Sequence, residues 1–116
     1  MRQRLNQVAE ELVHLVELFM SDKPVVKGSV YELKRKCGRS NCACARGQLH
    51  VSTALSFSED GRKRLKLVPK GRVGEVRTMA KRYRRLREAR ARVVKLHREM
   101  LALMDEMEAM RREGIG

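Results

Sequence analysis

Apolar residues near the start of the chain recur every three or four positions. This spacing predicts an amphipathic helix within residues 1–22, about 30 Å long for twenty residues at 1.5 Å per residue. Pro24 marks its end, because proline disfavours a helical conformation in the residue before it. The apolar positions of this helix are Leu5, Val8, Leu12, Leu15, Val16 and Phe19.

Between residues 25 and 69 the period changes to two, which is typical of strands. Val51, Leu55 and Phe57 are predicted to share one face of a strand, and Leu65 and Leu67 lie on a return strand. The sequence Asp60-Gly61 between the two strands is a strong hairpin signal. We therefore predict a β-hairpin, with residues 28–33 as a candidate third strand.

Residues 72–113 carry one long apolar stripe from Val76 to Met110, interrupted by the polar residues Arg90 and His97. The stripe predicts a helix on the order of 50 to 60 Å long. We expect the N-terminal helix to fold back on part of it as an antiparallel helical hairpin or coiled coil. The rest of the Val76–Met110 seam is then expected to pack against a second copy of the chain in a homodimer, or against another helical protein. The predicted fold is α+β, with three segments (1–22, 25–69 and 72–113) in one domain overall.

The composition argues against an enzyme. The 116 residues are 42% hydrophobic but only 3% aromatic, with no Trp, which leaves little material for a deep, rigid pocket. Paired carboxylates, a phosphate-binding glycine loop and a nucleophile with a nearby base are not recognisable. We expect no catalytic residue and no small-molecule substrate. The charged residues within the N-terminal leucine pattern are unlike a signal peptide, so a cytoplasmic location is expected.

Charge is the most informative global property. The chain carries 27 Lys and Arg against 14 Asp and Glu, a net charge of +13. Residues 69–95 alone hold eleven basic and two acidic residues, so neighbouring cations on the long helix repel each other. The pattern indicates a polyanionic partner, and arginine suits phosphate especially well. No membrane partner is expected, because interfacial helices favour Trp, Phe and Leu over the Val and Met of this stripe.

The residues predicted to contact nucleic acid are basic side chains of the cysteine-containing loop, the hairpin and the long helix. They are Lys34, Arg35, Lys36, Arg39, Arg46, Arg62, Lys63, Arg64, Lys66, Arg77, Lys81, Arg84, Arg85, Arg92 and Lys95.

All three cysteines lie in one short segment with a histidine, spaced Cys37-x4-Cys42-x-Cys44-x5-His50. Three thiolates and one imidazole satisfy tetrahedral zinc, with no open position for a catalytic water. An iron–sulfur cluster is an alternative, although it would normally take a fourth cysteine. Free thiols, including redox-sensing ones, are the other alternative, since the neighbouring cations lower thiol pKa values.

The segment GSVYELKRKCG, then Cys42-x-Cys44-x2-Gly47-x2-His50, then Gly61-Arg-Lys and Val68-Pro69, resembles a group of small uncharacterised bacterial proteins. Their pattern is CGxxxCxCxxGxxHGPY followed by GKT and VP, and the resemblance covers roughly residues 28–90. It implies a zinc-loop protein associated with mobile-element or phage-like genes, and it names no activity. This chain has Val51-Ser52-Thr53 in place of Gly-Pro-Tyr after the histidine.

Two functions follow from these observations. The first is a non-enzymatic, zinc-stabilised protein that binds DNA or structured RNA through phosphate contacts. The second is a coiled-coil adaptor or oligomerisation subunit of a larger protein–nucleic-acid assembly.

Overall fold

The computed structural model describes residues 1–35 and 50–116, with the backbone alone for Arg35 and His50. The prediction of an α+β fold is confirmed, with an N-terminal helix, a three-stranded antiparallel sheet and a long C-terminal helix. In chain order the elements are helix α1 (Arg2–Met20), strands β1 (Ser29–Arg35), β2 (His50–Glu59) and β3 (Arg62–Val68), a short 3-10 helix (Lys70–Arg72) and helix α2 (Val73–Met110).

The sheet has the order β1-β2-β3, and both strand pairs are antiparallel. A two-residue turn joins β2 to β3, because Glu59 pairs directly with Arg62. Its central residues have positive φ, 53° at Asp60 and 76° at Gly61, as a type I′ turn requires. The hairpin predicted from Asp60-Gly61 is therefore present, and β1 is its third strand.

The register of the hairpin divides its apolar residues between two faces. Leu65 and Leu67 of β3 pair with Ser56 and Ala54, whereas Leu55 of β2 pairs with Lys66. Since paired residues lie on the same face of a sheet, Leu65 and Leu67 lie on the face opposite Leu55. Ala54 is fully buried, while both leucines of β3 remain about half exposed.

The chain is divided into two compact units by its contacts. Residues 1–23 and 85–116 form the first, called the helical unit below, and residues 24–84 form the second, called the sheet unit. α2 is continuous over 38 residues, so its part up to Arg84 belongs to the sheet unit and the remainder belongs to the helical unit. This division of one helix between two units was not among the sequence predictions.

Two ion pairs fix the antiparallel alignment of α1 and α2 in the helical unit. Arg4 contacts Glu99, and Glu11 contacts Arg92. A step of seven residues towards the C-terminus of α1 therefore corresponds to a step of seven residues towards the N-terminus of α2. Val8, midway between the α1 partners, is fully buried. Leu96, midway between the α2 partners, is 1% exposed. The predicted antiparallel helical hairpin is thus present.

The apolar seam of α2 in the helical unit follows the predicted stripe at positions such as Val93 and Met100, which are partly buried, and departs from it at two positions. Ala89 and Leu96 are buried there, whereas Arg90 and His97, which the sequence analysis placed in the seam, are exposed. At each of these two positions the apolar residue that precedes the polar one is buried in its place.

In the sheet unit, the start of α2 holds the segment that precedes β1. Val76, Met79 and Ala80 are buried. The amide of Val26 donates a hydrogen bond to the carbonyl oxygen of Met79 at 3.1 Å. Over the residues that the structure describes, no helix is both long and apolar enough to cross a membrane.

Candidate nucleic-acid interface

The sheet places most of its predicted phosphate-binding cations on one face. Arg64 pairs with Phe57, Lys66 with Leu55, and Lys34 with Val51, so these cations share the face of the apolar β2 residues. By alternation, Arg62 lies on this face and Lys63 on the other. Residues 62–67 of β3 are all exposed. The structure thus brings Lys34, Arg62, Arg64 and Lys66 together on a single surface.

One of these cations has a nearby counter-charge. Arg64 Nε lies 3.8 Å from Glu59 Oε2 across the turn, with both side chains more than half exposed. At this distance and exposure the pair contributes little stability, so the guanidinium remains available to another anion. No acidic partner within 4 Å is present for Lys34, Arg62 or Lys66 among the described residues.

The first part of α2 adds a second group of cations to the sheet unit. Lys81 and Arg84 are exposed, and Arg77 is partly exposed. Because they are spaced at four and three residues, they lie along one face of the helix. None of the three forms an ion pair with a described residue. Arg82 is different, since its guanidinium donates to the carbonyl oxygen of Pro24 within the same unit.

Three of the predicted phosphate-binding residues, Arg85, Arg92 and Lys95, belong to the helical unit. Arg85 and Lys95 are exposed. Arg92 is held by Glu11, whose carboxylate accepts its Nε and Nη2 at 2.5 and 3.0 Å. This hydrogen-bonded pair raises the pKa of Arg92 and lowers that of Glu11. Arg92 therefore acts as a contact between α1 and α2.

The spacing of charged residues in the sequence contains a signal for this contact. Each helix carries an arginine followed seven residues later by a glutamate, Arg4 and Glu11 on α1 and Arg92 and Glu99 on α2, so the order of charge along the chain is the same in both. An antiparallel helix pair matches such a pattern directly, since each cation then faces an anion.

Three of the four predicted metal ligands fall outside the structural description, and the fourth, His50, is described by its backbone alone. Cys37, Cys42 and Cys44, with the cations Lys36, Arg39 and Arg46, lie in residues 36–49, beyond the described residues. What is described is the base of this connection, where the backbones of Arg35 and His50 are paired. Within residues 1–35 and 50–116, no group of three His, Cys, Asp or Glu residues is placed to hold a metal ion.

The family comparison covers most of the elements described above. Residues 1–78 match the model of a domain of unknown function, DUF6788. The chain belongs to the DUF6788 family. The matched part of this DUF6788 protein contains α1, the whole sheet and the first six residues of α2, Val73–Thr78. Searches of curated proteins and of solved structures gave no match.

Proposed function

We propose that this protein is a non-enzymatic nucleic-acid-binding protein that contacts the phosphates of DNA or structured RNA through its sheet unit. The exposed cations of β3 and of the first part of α2 supply the contacts. The connection between β1 and β2, held by zinc, adds further cations to the same unit.

The observation that carries the proposal is the distribution of charge between the two units. The sheet unit, residues 24–84, contains 16 Lys and Arg and four Asp and Glu, a net charge of +12. The helical unit contains eleven Lys and Arg and ten Asp and Glu, a net charge of +1. A compact unit with this excess of one sign repels itself unless an anion neutralises it, and a phosphate backbone provides such an anion at regular intervals.

The exposed side chains of the sheet unit are suited to phosphate contacts rather than to base stacking. Lys66, Lys81 and Arg84 are exposed on regular elements, which hold backbone contacts in fixed register. Aromatic residues are scarce, with two Tyr, two Phe and no Trp in the chain, and only Phe19 and Tyr31 of the described residues are exposed. Stacking of successive single-stranded bases needs several such residues, so duplex DNA or folded RNA is the better partner.

A zinc site at the β1–β2 connection fits the chemistry of this unit. Cys37, Cys42, Cys44 and His50 together complete a four-ligand structural site, which leaves no position for catalysis. The described base of the connection supports this proposal. Arg35 is paired with His50, and paired Cα atoms in an antiparallel ladder lie about 4.5–5.5 Å apart. Cys37 is two residues beyond Arg35, so chain length alone keeps its Cα within about 7 Å of that residue.

The second candidate function is an adaptor or oligomerisation subunit of a protein–nucleic-acid assembly. It is favoured by the near-neutral helical unit, which exposes apolar side chains on both helices. The two functions are compatible, because the excess positive charge and most of the exposed apolar side chains lie in different units. A cytoplasmic location and an association with mobile-element or phage-like genes stay predictions.

Binding of the full chain to a labelled DNA duplex and to an RNA hairpin tests the proposal. We expect binding at 50 mM salt to at least one of them, and a loss of roughly 10³-fold or more in affinity at 200 mM, as six or more phosphate contacts imply. A single-stranded oligonucleotide of the same length should bind more weakly. Absence of binding to both folded probes at 50 mM salt would contradict the proposal.

A pair of charge variants tests the assignment to the sheet unit. Replacing Lys81 and Arg84 by Gln should reduce the magnitude of the salt slope by about two, one for each lost phosphate contact. The control replaces Arg98 and Arg111, exposed cations of the helical unit, by Gln. Both variants lose two positive charges. Equal weakening by both would mean that net charge alone governs binding, and that the sheet unit is not the interface.

A further inference from the structure

One side of the helical unit carries exposed apolar residues from both of its helices. On α1 these are Val13, Val16 and Met20, and on α2 they are Val94, Leu101 and Met104, with exposures from 39% to 79%. Six such side chains in one small unit exceed the isolated exposed leucines found on ordinary surfaces.

Helical geometry places the two groups on the same side. Successive residues of a helix are rotated by about 100° around its axis, and on α1 the buried Val8 gives the reference direction. Arg4 and Glu11 lie about 40–60° from Val8 in one direction. The apolar residues Val13, Val16 and Met20 lie about 80–140° from it in the other direction. On α2 the buried Leu96 gives the corresponding reference direction. Arg92 and Glu99 lie to one side of it, and Val94, Leu101 and Met104 lie to the other. Since the ion pairs join one side of both helices, the apolar residues of both helices lie on the opposite side, with those of α1 beside the part of α2 that precedes Val94.

The exposed stripe of α2 has opposite charges at its two ends. Arg87 and Arg90 precede Val94, and Asp105 and Glu108 follow Met104. Arg87, Arg90, Val94, His97, Leu101, Met104 and Glu108 are spaced alternately by three and four residues, as in a helix–helix seam. A second copy running antiparallel would place each arginine end against an acidic end, whereas a parallel copy would place arginines together.

We propose that a second copy of the chain covers this side of the helical unit, with the two α2 helices antiparallel, so that two helical hairpins form a four-helix bundle. The stripe is complementary to itself, as a two-fold symmetric interface requires. The helical unit has a net charge of only +1, so two copies approach each other there with little repulsion. The sheet unit, at +12, is the less suitable surface for self-association.

This interface differs from the dimer seam expected from the sequence. The predicted seam ran from Val76 to Met110, but in the helical unit α1 already covers the side of α2 on which Ala89 and Leu96 are buried. The proposed interface uses the neighbouring stripe, which shares with the predicted seam only the polar residues Arg90 and His97. These two polar residues then set the direction and register of the dimer. The Arg90 guanidinium competes for Glu108 with Arg112 of the same helix, whose Nη2 lies 2.6 Å from that carboxylate in an exposed pair.

The oligomeric state of the full chain, measured by sedimentation equilibrium, tests the proposal. The wild type should be a dimer at micromolar concentration, and Leu101→Glu should be monomeric. Leu18→Glu is the control, because Leu18 is also about half exposed but lies seven residues after Glu11, on the ion-pair side. Circular dichroism checks that both variants remain helical. A monomeric wild type up to about 100 μM, or equal dissociation by both variants, would overturn the proposal.

A charge exchange tests the antiparallel direction without changing the apolar surface. Arg90→Glu and Glu108→Arg should each raise the dimer dissociation constant at least about tenfold, and the double exchange should restore it. Lys95→Glu makes the same change of charge on another face of α2, and it should leave dimerisation unchanged. Failure of the double exchange to restore the dimer would refute the antiparallel alignment, even if Leu101→Glu dissociates it.

Discussion

Arg92 on α2 donates two hydrogen bonds to the carboxylate of Glu11 on α1, from Nε at 2.5 Å and from Nη2 at 3.0 Å. The pair of Arg4 and Glu99 repeats this geometry with the charges exchanged between the helices, at 2.5 and 2.6 Å. These bidentate contacts select one alignment of the two helices, because a shift along the axis separates both pairs together. Their main contribution is therefore to specify the register.

The same contacts predict how the helical unit responds to acid. Hydrogen bonds from Arg92 and Arg4 lower the pKa values of Glu11 and Glu99 below the ordinary 4.5. A carboxylate with a lowered pKa in the folded state stabilises the protein above its unfolded-state pKa, and this contribution is lost as pH falls through the folded-state value. The Tm of the wild type should therefore fall between pH 5 and pH 3 more steeply than that of the Glu11→Gln, Glu99→Gln double variant.

A second double variant provides the control for this titration. Glu10 and Glu106 are exposed carboxylates on α1 and α2, and neither forms an ion pair with a described residue. Their replacement by Gln should leave the acid profile parallel to that of the wild type. Melting followed by circular dichroism at low salt gives the largest difference, since salt screens half-exposed pairs. Coincident profiles for all three proteins would contradict a role for the two ion pairs in acid stability.

Two glycines predict opposite responses to the same substitution. Gly28, just before β1, has φ of 148°, and an added Cβ would lie 2.7 Å from the carbonyl oxygen of Ser56 and 2.9 Å from Leu55 Cδ1. Gly28→Ala should therefore lower the free energy of unfolding by about 1–3 kcal/mol. Gly74 lies in the first turn of α2 with no atom within 4 Å of an added Cβ, and Gly74→Ala should raise it by up to about 1 kcal/mol.

Denaturant titration of the two variants measures both changes under identical conditions. The m-values should match that of the wild type, which would show that the change lies in the native state. A neutral Gly28→Ala variant would mean that the segment before β1 can move away from Ser56. Equal destabilisation by both substitutions would contradict the local steric explanation.

The local elements of the fold could be predicted from the sequence because each depends on neighbouring residues. The change of apolar period from 3.6 to two separates α1 from the strands, and Asp60-Gly61 supplies the positive φ values of the turn. The burial of Ala89 instead of Arg90 could not be predicted in the same way. It depends on which helix lies opposite, and a stripe extended along one helix carries no information about its partner.

The candidate nucleic-acid interface could be predicted from the sequence only in part. The sequence identified the cations, but their division between a unit of net charge +12 and one of +1 required the tertiary contacts that divide α2. Arg92 illustrates the limit of counting charges. It belongs to an arginine-rich run, yet its guanidinium is bound by Glu11, 81 residues away in the chain.

If zinc is bound at the proposed site, substitution of a ligand should lower the zinc content of the protein. The chain has three histidines, so a histidine outside the site can serve as the matched control. His50→Ala removes one of four proposed ligands, and Cys42→Ser removes another. Each should reduce the zinc bound to the purified chain from about one per molecule to substantially less, because a structural site needs all four ligands. Elemental analysis after dialysis measures the zinc directly. His14→Ala is the control, since His14 lies on α1 and is exposed.

The proposed site lies in the sheet unit, so loss of the metal should affect that unit selectively. Chelation of the wild type should lower the strand signal in circular dichroism and weaken binding to the nucleic-acid probes, because the cations beside the cysteines are then no longer held in place. The helical signal of α1 and α2 should persist, since the described contacts between these helices are the ion pairs of Arg4 with Glu99 and of Glu11 with Arg92. Equal zinc content in His50→Ala and His14→Ala would exclude His50 as a ligand, and no zinc in the wild type would exclude the site.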